Sequence, residues 1–157
     1  MENLLLVLLG FFLGLVPGWY ARKQRLKVHW GALEIETELC REKAQAYLDD
    51  KIMAPLYRLP NKAYETSFPV LLSDAAILPN EVDALVRFYS QVEDFNRGLD
   101  DAAELNKENR TAPLKEGYKR NLLKARQIVA PPEGKDNLYL KAIAILADKN
   151  DRTAAKI

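Results

Sequence analysis

Glu34, Glu38 and Glu42 recur at four-residue steps, which puts three carboxylates on one face of a helix. Carboxylates on several helices can hold two metal ions in a bundle, but such sites also use Glu-x-x-His pairs. His29 is the only histidine, and Leu26 stands three residues before it. Arg41 and Lys43 lie close by, so the acidic spacing describes a solvated helix face. Cys40 is the only candidate thiol nucleophile, and a catalytic thiol needs a base and an electropositive setting. His29 is eleven residues away on the same helix, about 16 Å along its axis, which is out of reach. Cys40 therefore reads as a small core residue. One Cys and one His build neither a zinc cage nor an intramolecular disulfide. No G-x-S-x-G, no phosphate-cradling glycine loop and no Ser/His/Asp set is spaced to act. The expectation is a protein that is not an enzyme, with no catalytic, cofactor-binding or metal-binding residues.

The most unusual local feature is Asn96-Arg97-Gly98. Asn96 occupies a position on an apolar helical stripe, where a polar group must find partners. Gly98 costs a helix about 1 kcal/mol relative to Ala, so it implies a packing or functional reason. Arg97 has Glu93 and Asp101 at four-residue spacing. On the structural reading, Asn96 ties down the Pro-rich segment before it by bonding its backbone. On the functional reading, Asn96 and Arg97 floor a small cleft lined by Tyr57, Arg58 and Tyr64.

Charge separates the elements that would carry these residues. The net charge of +1 hides blocks of +3 over residues 1–29, −8 over 30–109 and +6 over 110–157. The acidic and basic blocks fit an antiparallel helical hairpin, whose exposed pairs contribute below about 1 kcal/mol each but favour that pairing. A basic helix facing an anionic partner is the alternative. Lys115, Lys119, Arg120, Lys124 and Arg126 spread around their helix, which favours the hairpin. Aromatic residues do not alternate with the basic ones and no recognition motif is present, so no nucleic-acid partner is expected.

Residues Leu4 to Tyr20 carry no charge. Seventeen such residues rise about 25 Å as a helix, the short end of what spans a bilayer. Trp19 and Tyr20 sit where an aromatic belt meets the headgroups. Met1-Glu2-Asn3 lacks the positive start of a signal peptide, and no A-x-A-like site follows. Arg22, Lys23, Arg25 and Lys27 come directly after the run. By the positive-inside rule, the N-terminus is outside and the remainder cytoplasmic, in an inner or plasma membrane.

No Pro falls between Trp19 and Pro55, so the anchor is expected to run on as one helix. Leu26, Trp30, Leu33, Thr37, Cys40, Ala44 and Tyr47 form its main stripe. Val28, Ala32, Ile35, Leu39 and Ala46 form a weaker one almost opposite. A helix apolar on two faces is central in a bundle or shared between subunits.

Pro55, Pro60, Pro69 and Pro79 then break the chain into an ordered apolar crossover, with one short helix expected near Val70 to Ala76. Helices follow over Asn80 to Asn109 and Thr111 to Ala130. The first buries Val82, Leu85, Tyr89, Val92, Leu99 and Ala103, with Phe88 and Phe95 widening the stripe. The second buries Leu114, Tyr118, Leu122, Ala125 and Val129. Residues 138–147 read as a buried helix capped by Asp136 or Asn137, with a strand as the alternative. Heptads do not persist through the chain, so it is no simple rod.

The fold expected is all-α: a transmembrane anchor over 1–21 and a bundle of about four helices over 22–147, with the Pro-rich crossover at 54–79 and a polar tail at 148–157. The function expected is a membrane-anchored interaction or scaffold protein that holds a protein partner or a second copy of itself. Val28, Ile35, Leu39, Tyr57, Arg58 and Tyr64 form the candidate surface. Trp19, Tyr20, Arg22, Lys23, Arg25 and Lys27 meet the lipid bilayer. The alternative is a small-ligand sensor or carrier with a site at Asn96 and Arg97.

Overall fold

The protein is described from a computed structural model. It describes the backbone of residues 2–51, 58–108, 111–131 and 136–154, and side chains within 16–51, 58–108, 116–131 and 136–152. Among the described residues there are five helices and no strand: α1 (Glu2–Leu48), α2 (Lys62–Ser73), α3 (Pro79–Lys107), α4 (Thr111–Val129) and α5 (Leu138–Ala154).

Residues 2–48 are one helix, which the absence of Pro after Pro17 permits. Among the described residues no helix is long and apolar enough to cross a membrane. Most of the uncharged run from Leu4 falls in residues 1–15, whose side chains lie outside the described set. The anchor expected over 1–21 is thus not carried by the described residues.

The main stripe of α1 enters the core as its spacing demands. Trp30, Leu33, Thr37, Cys40, Ala44 and Tyr47 are all buried, and Leu26 is partly so. Against them pack Phe68 and Leu71 of α2, and Leu85, Phe88, Tyr89, Val92, Phe95 and Leu99 of α3. Ala125 and Ile128 of α4 and Tyr139, Ala142 and Leu146 of α5 complete the core. Tyr47 meets Phe95 edge to face at 5.2 Å, and Tyr64 stacks on Tyr89 at 4.1 Å. The edge-to-face geometry suits the ring quadrupole.

α3 and α4 form the antiparallel hairpin that the charge blocks favour. Lys124 of α4 pairs with Asp94 of α3 at 3.0 Å and donates to its carbonyl at 2.9 Å. Gly98 sits where these helices touch: a Cβ there would meet the Asn121 amide oxygen at 2.0 Å. Asn121 is itself buried. Glycine at 98 is a close-approach residue for the hairpin, which is the packing reason its cost implies.

Three expectations are corrected, and the helix over 138–147 is borne out. The short helix lies at Lys62–Ser73 and not at Val70 to Ala76, because Pro69 is accommodated inside it. Pro69 is on the exposed side, where solvent can satisfy the carbonyl its ring leaves unpaired. On α4 the buried face turns towards Asn121 and Ile128, leaving Tyr118 41% exposed. Its hydroxyl donates to the Asp50 carboxylate at 2.6 Å, so the phenol is held at the surface by its polar end. Residues 138–147 are helical, with Asn137 accepting from the Leu140 N–H at 3.0 Å as the cap. That helix continues through the expected polar tail as far as Ala154. Lys149 reaches Glu81 at the start of α3 (2.8 Å) and lies 5.6 Å from the Trp30 ring.

Candidate functional site

Two places on this scaffold gather the candidate residues: the outer face of α1 and the start of the crossover.

The outer face of α1 follows from the core stripe opposite it. Fixing Leu33, Cys40 and Tyr47 inward turns Val28, Ile35 and Leu39 outward. These three are 67%, 61% and 40% exposed. Single exposed apolar residues are ordinary, but three on one helix face make a patch. Gly18 and Gly31 have no atom within 4 Å of where a Cβ would stand, so the face is open beside both. Trp19 and Tyr20, at the end of the uncharged run, are also exposed.

Two of the cations that follow have a role the sequence did not disclose. Arg22 donates to the Asp74 carbonyl at 2.6 Å, and Arg25 pairs with the Asp74 carboxylate at 2.6 Å. Asp74 belongs to the turn after α2, so these arginines fasten α2 to α1. Lys23 lies 5.4 Å from the Trp19 ring. Lys27 is half-buried.

At the crossover, Asn96 accepts from the Leu59 N–H at 2.8 Å and donates to the Leu59 carbonyl at 2.9 Å. Both ends of its amide are spent on one backbone residue, which is the tether expected of it. Arg58 pairs with Asp100 at 2.5 Å, and exposed Arg97 stands on the rim. Together with Leu59, Asn61 and Glu93 they line an open polar cleft of about 320 Å³. Tyr64 is not part of it. Its ring lies between Phe68 and Tyr89 as packing. Tyr57 lies outside the described residues.

The acidic and thiol candidates also find places. Glu38 and Glu42 are exposed, but Glu34 is half-buried and accepts a hydrogen bond from Asn150 of α5. Cys40 is fully buried with its thiol donating to the Pro60 carbonyl at 3.1 Å. Burial, with the Glu36 carboxylate nearby, pushes that thiol far above its ordinary range, which suits an inert core residue. His29 bonds Ser67 at 3.0 Å. Among the described residues, no three His, Cys, Asp or Glu side chains are placed to hold a metal ion.

Glu36 is the residue the spacing argument passed over. It is buried, and its carboxylate accepts from the backbone N–H of Ala63 at 2.6 Å and of Tyr64 at 2.8 Å. Asn61 makes no side-chain cap, so Glu36 satisfies the first-turn donors of α2 from another helix. A carboxylate there also suits the helix dipole. The only local signal was an acid beside a core residue, Thr37, instead of on the outer face.

Compared with protein-family models, with curated proteins and with solved structures, the chain matches none.

Proposed function

We propose that this protein is held in a membrane by the start of α1 and presents the outer face of that helix to a protein partner. The observation that carries the reading is the position of Val28, Ile35 and Leu39. They are exposed, on one face, and on the same unbroken helix as the uncharged run Leu4 to Tyr20. An apolar patch of this kind marks an interaction surface. Trp19, Tyr20 and the cations at 22, 23, 25 and 27 suit a cytoplasmic-side membrane boundary, with the helical bundle on that side.

The alternative, a small-ligand site at Asn96 and Arg97, has the polar cleft in its favour. It draws less support than the α1 face, because the Asn96 amide is already engaged at both ends by Leu59.

Chemical cross-linking in native membranes tests the proposal. Ile35→Glu with Leu39→Glu places two charges on the patch without touching the core. The double variant should lose the cross-linked species that the unaltered protein forms. Unchanged complexes would refute the docking role.

A further inference from the structure

We propose that the partner on this face is a second copy of the chain, bound parallel and in register along α1. The inference rests on the membrane-anchored reading, because two copies inserted the same way must present α1 side by side in the same direction.

The spacing of the exposed face is that of a two-stranded seam. Gly18, Ala21, Arg25, Val28, Ala32, Ile35 and Leu39 follow one another at alternating three- and four-residue steps. A seam with that period faces a partner helix continuously. Gly18, Ala21, Val28, Ile35 and Leu39 are not covered by the rest of the fold. Arg25 is the one cation in the row, and it is drawn off by Asp74. In the sequence the same steps continue towards the N-terminus through Gly14, Phe11, Val7 and Leu4, with no charge among them. The seam of the bundle and that of the uncharged run are therefore one line on one helix. Gly14 and Gly18 add the small-residue spacing that lets two helices approach closely in lipid. Glu42 occupies the next step and ends the apolar row.

The charges beside the seam select this arrangement over others. In a parallel in-register pair, a residue on one flank meets the residue five positions later on the opposite flank of the partner helix. Glu38 and Lys43 stand at those two flanking positions. The pair would form twice, once on either side of the two-fold axis. An antiparallel or shifted pairing loses that match.

Cysteine cross-linking in native membranes reads the geometry directly. Val28→Cys and Ile35→Cys are made singly in the full chain carrying Cys40→Ala, so that the new thiol is alone. Leu123→Cys is the control, since Leu123 is as exposed as Ile35 but lies on α4. Under mild oxidation the two α1 variants should gain disulfide-linked dimer faster than the control. Glu38→Lys should lower that yield in the Ile35→Cys background, and adding Lys43→Glu should restore it. Chain recovered in membranes with no dimer above the control overturns the pairing and leaves anchorage and a different partner standing. Equal dimer with and without Glu38→Lys overturns the register. Chain recovered outside the membrane fraction overturns the pairing and the anchored reading together.

Discussion

Asn96 shows how one side chain fixes the path of a crossover. Its amide closes two hydrogen bonds on Leu59, a residue 37 positions earlier whose side chain is buried. Asn96→Ala should cost about 1–3 kcal/mol, because it leaves a donor and an acceptor unpaired. Denaturant unfolding measures this, and a loss well below 1 kcal/mol would deny the tether. Gly98 is the second decisive residue. Gly98→Ala gains helix propensity, yet its Cβ would overlap Asn121. It should destabilise by about 1–3 kcal/mol, the usual cost of overpacking. In the Asn121→Ala background the same change should be neutral or stabilising, and equal losses in both backgrounds would show that the two residues do not meet. Asn96 and Gly98 were legible because each broke a helical pattern. Glu36 was not, since its partners lie 27 and 28 residues away on a backbone no periodicity could place.

At the scale of elements, the second half of α1 and most of α3 were readable from three- and four-residue spacing, because one face of each is buried from Leu26 to Leu48 and from Val82 to Leu99. α4 was half readable. Tyr118 has a polar end, and a phenol can finish a core or leave it, depending on whether an acceptor such as Asp50 is at hand. α2 was misplaced because Pro69 looked like a boundary, and the residues that stabilise its start belong to α1. That dependence is testable. Glu36→Ala removes the side-chain acceptor of the Ala63 and Tyr64 N–H groups. Amide hydrogen exchange should rise through the first turn of α2 while α3 stays protected. Uniform exchange across the bundle, or none gained in α2, would contradict the cap. The segment expected to be a polar tail is structural for a similar reason. Nothing local marks Lys149, and its place is set by Glu81 on α3 and Trp30 on α1.

At the scale of the whole molecule, buried phenols give the bundle an alkaline limit. Burial pushes the Tyr47 hydroxyl up to about 12, with Tyr118 alongside adding to the effect and the nearby Asn121 amide opposing it. Burial likewise pushes Tyr89 up, against its bond with Thr37. Between the ordinary phenol value of 10.0 and about 12, the unfolded chain releases the Tyr47 proton and the folded chain keeps it. The folded state then binds more protons, so stability is full below pH 10 and falls as pH rises through that window. Thermal unfolding followed from pH 8 to pH 12 should show the decline, and Tyr47→Phe should reduce it. A stability that is flat to pH 12 would contradict the burial of these rings. The same scale decides the functional account. One helix is proposed to hold the chain in the bilayer with its first turns and to present Val28, Ile35 and Leu39 just beyond them. The most direct test is flotation of membranes through a density gradient at high salt, comparing the full chain with a chain lacking residues 1–21. The account predicts that the full chain rises with the lipid and that the shortened chain stays at the bottom. A full chain that remains at the bottom would contradict it.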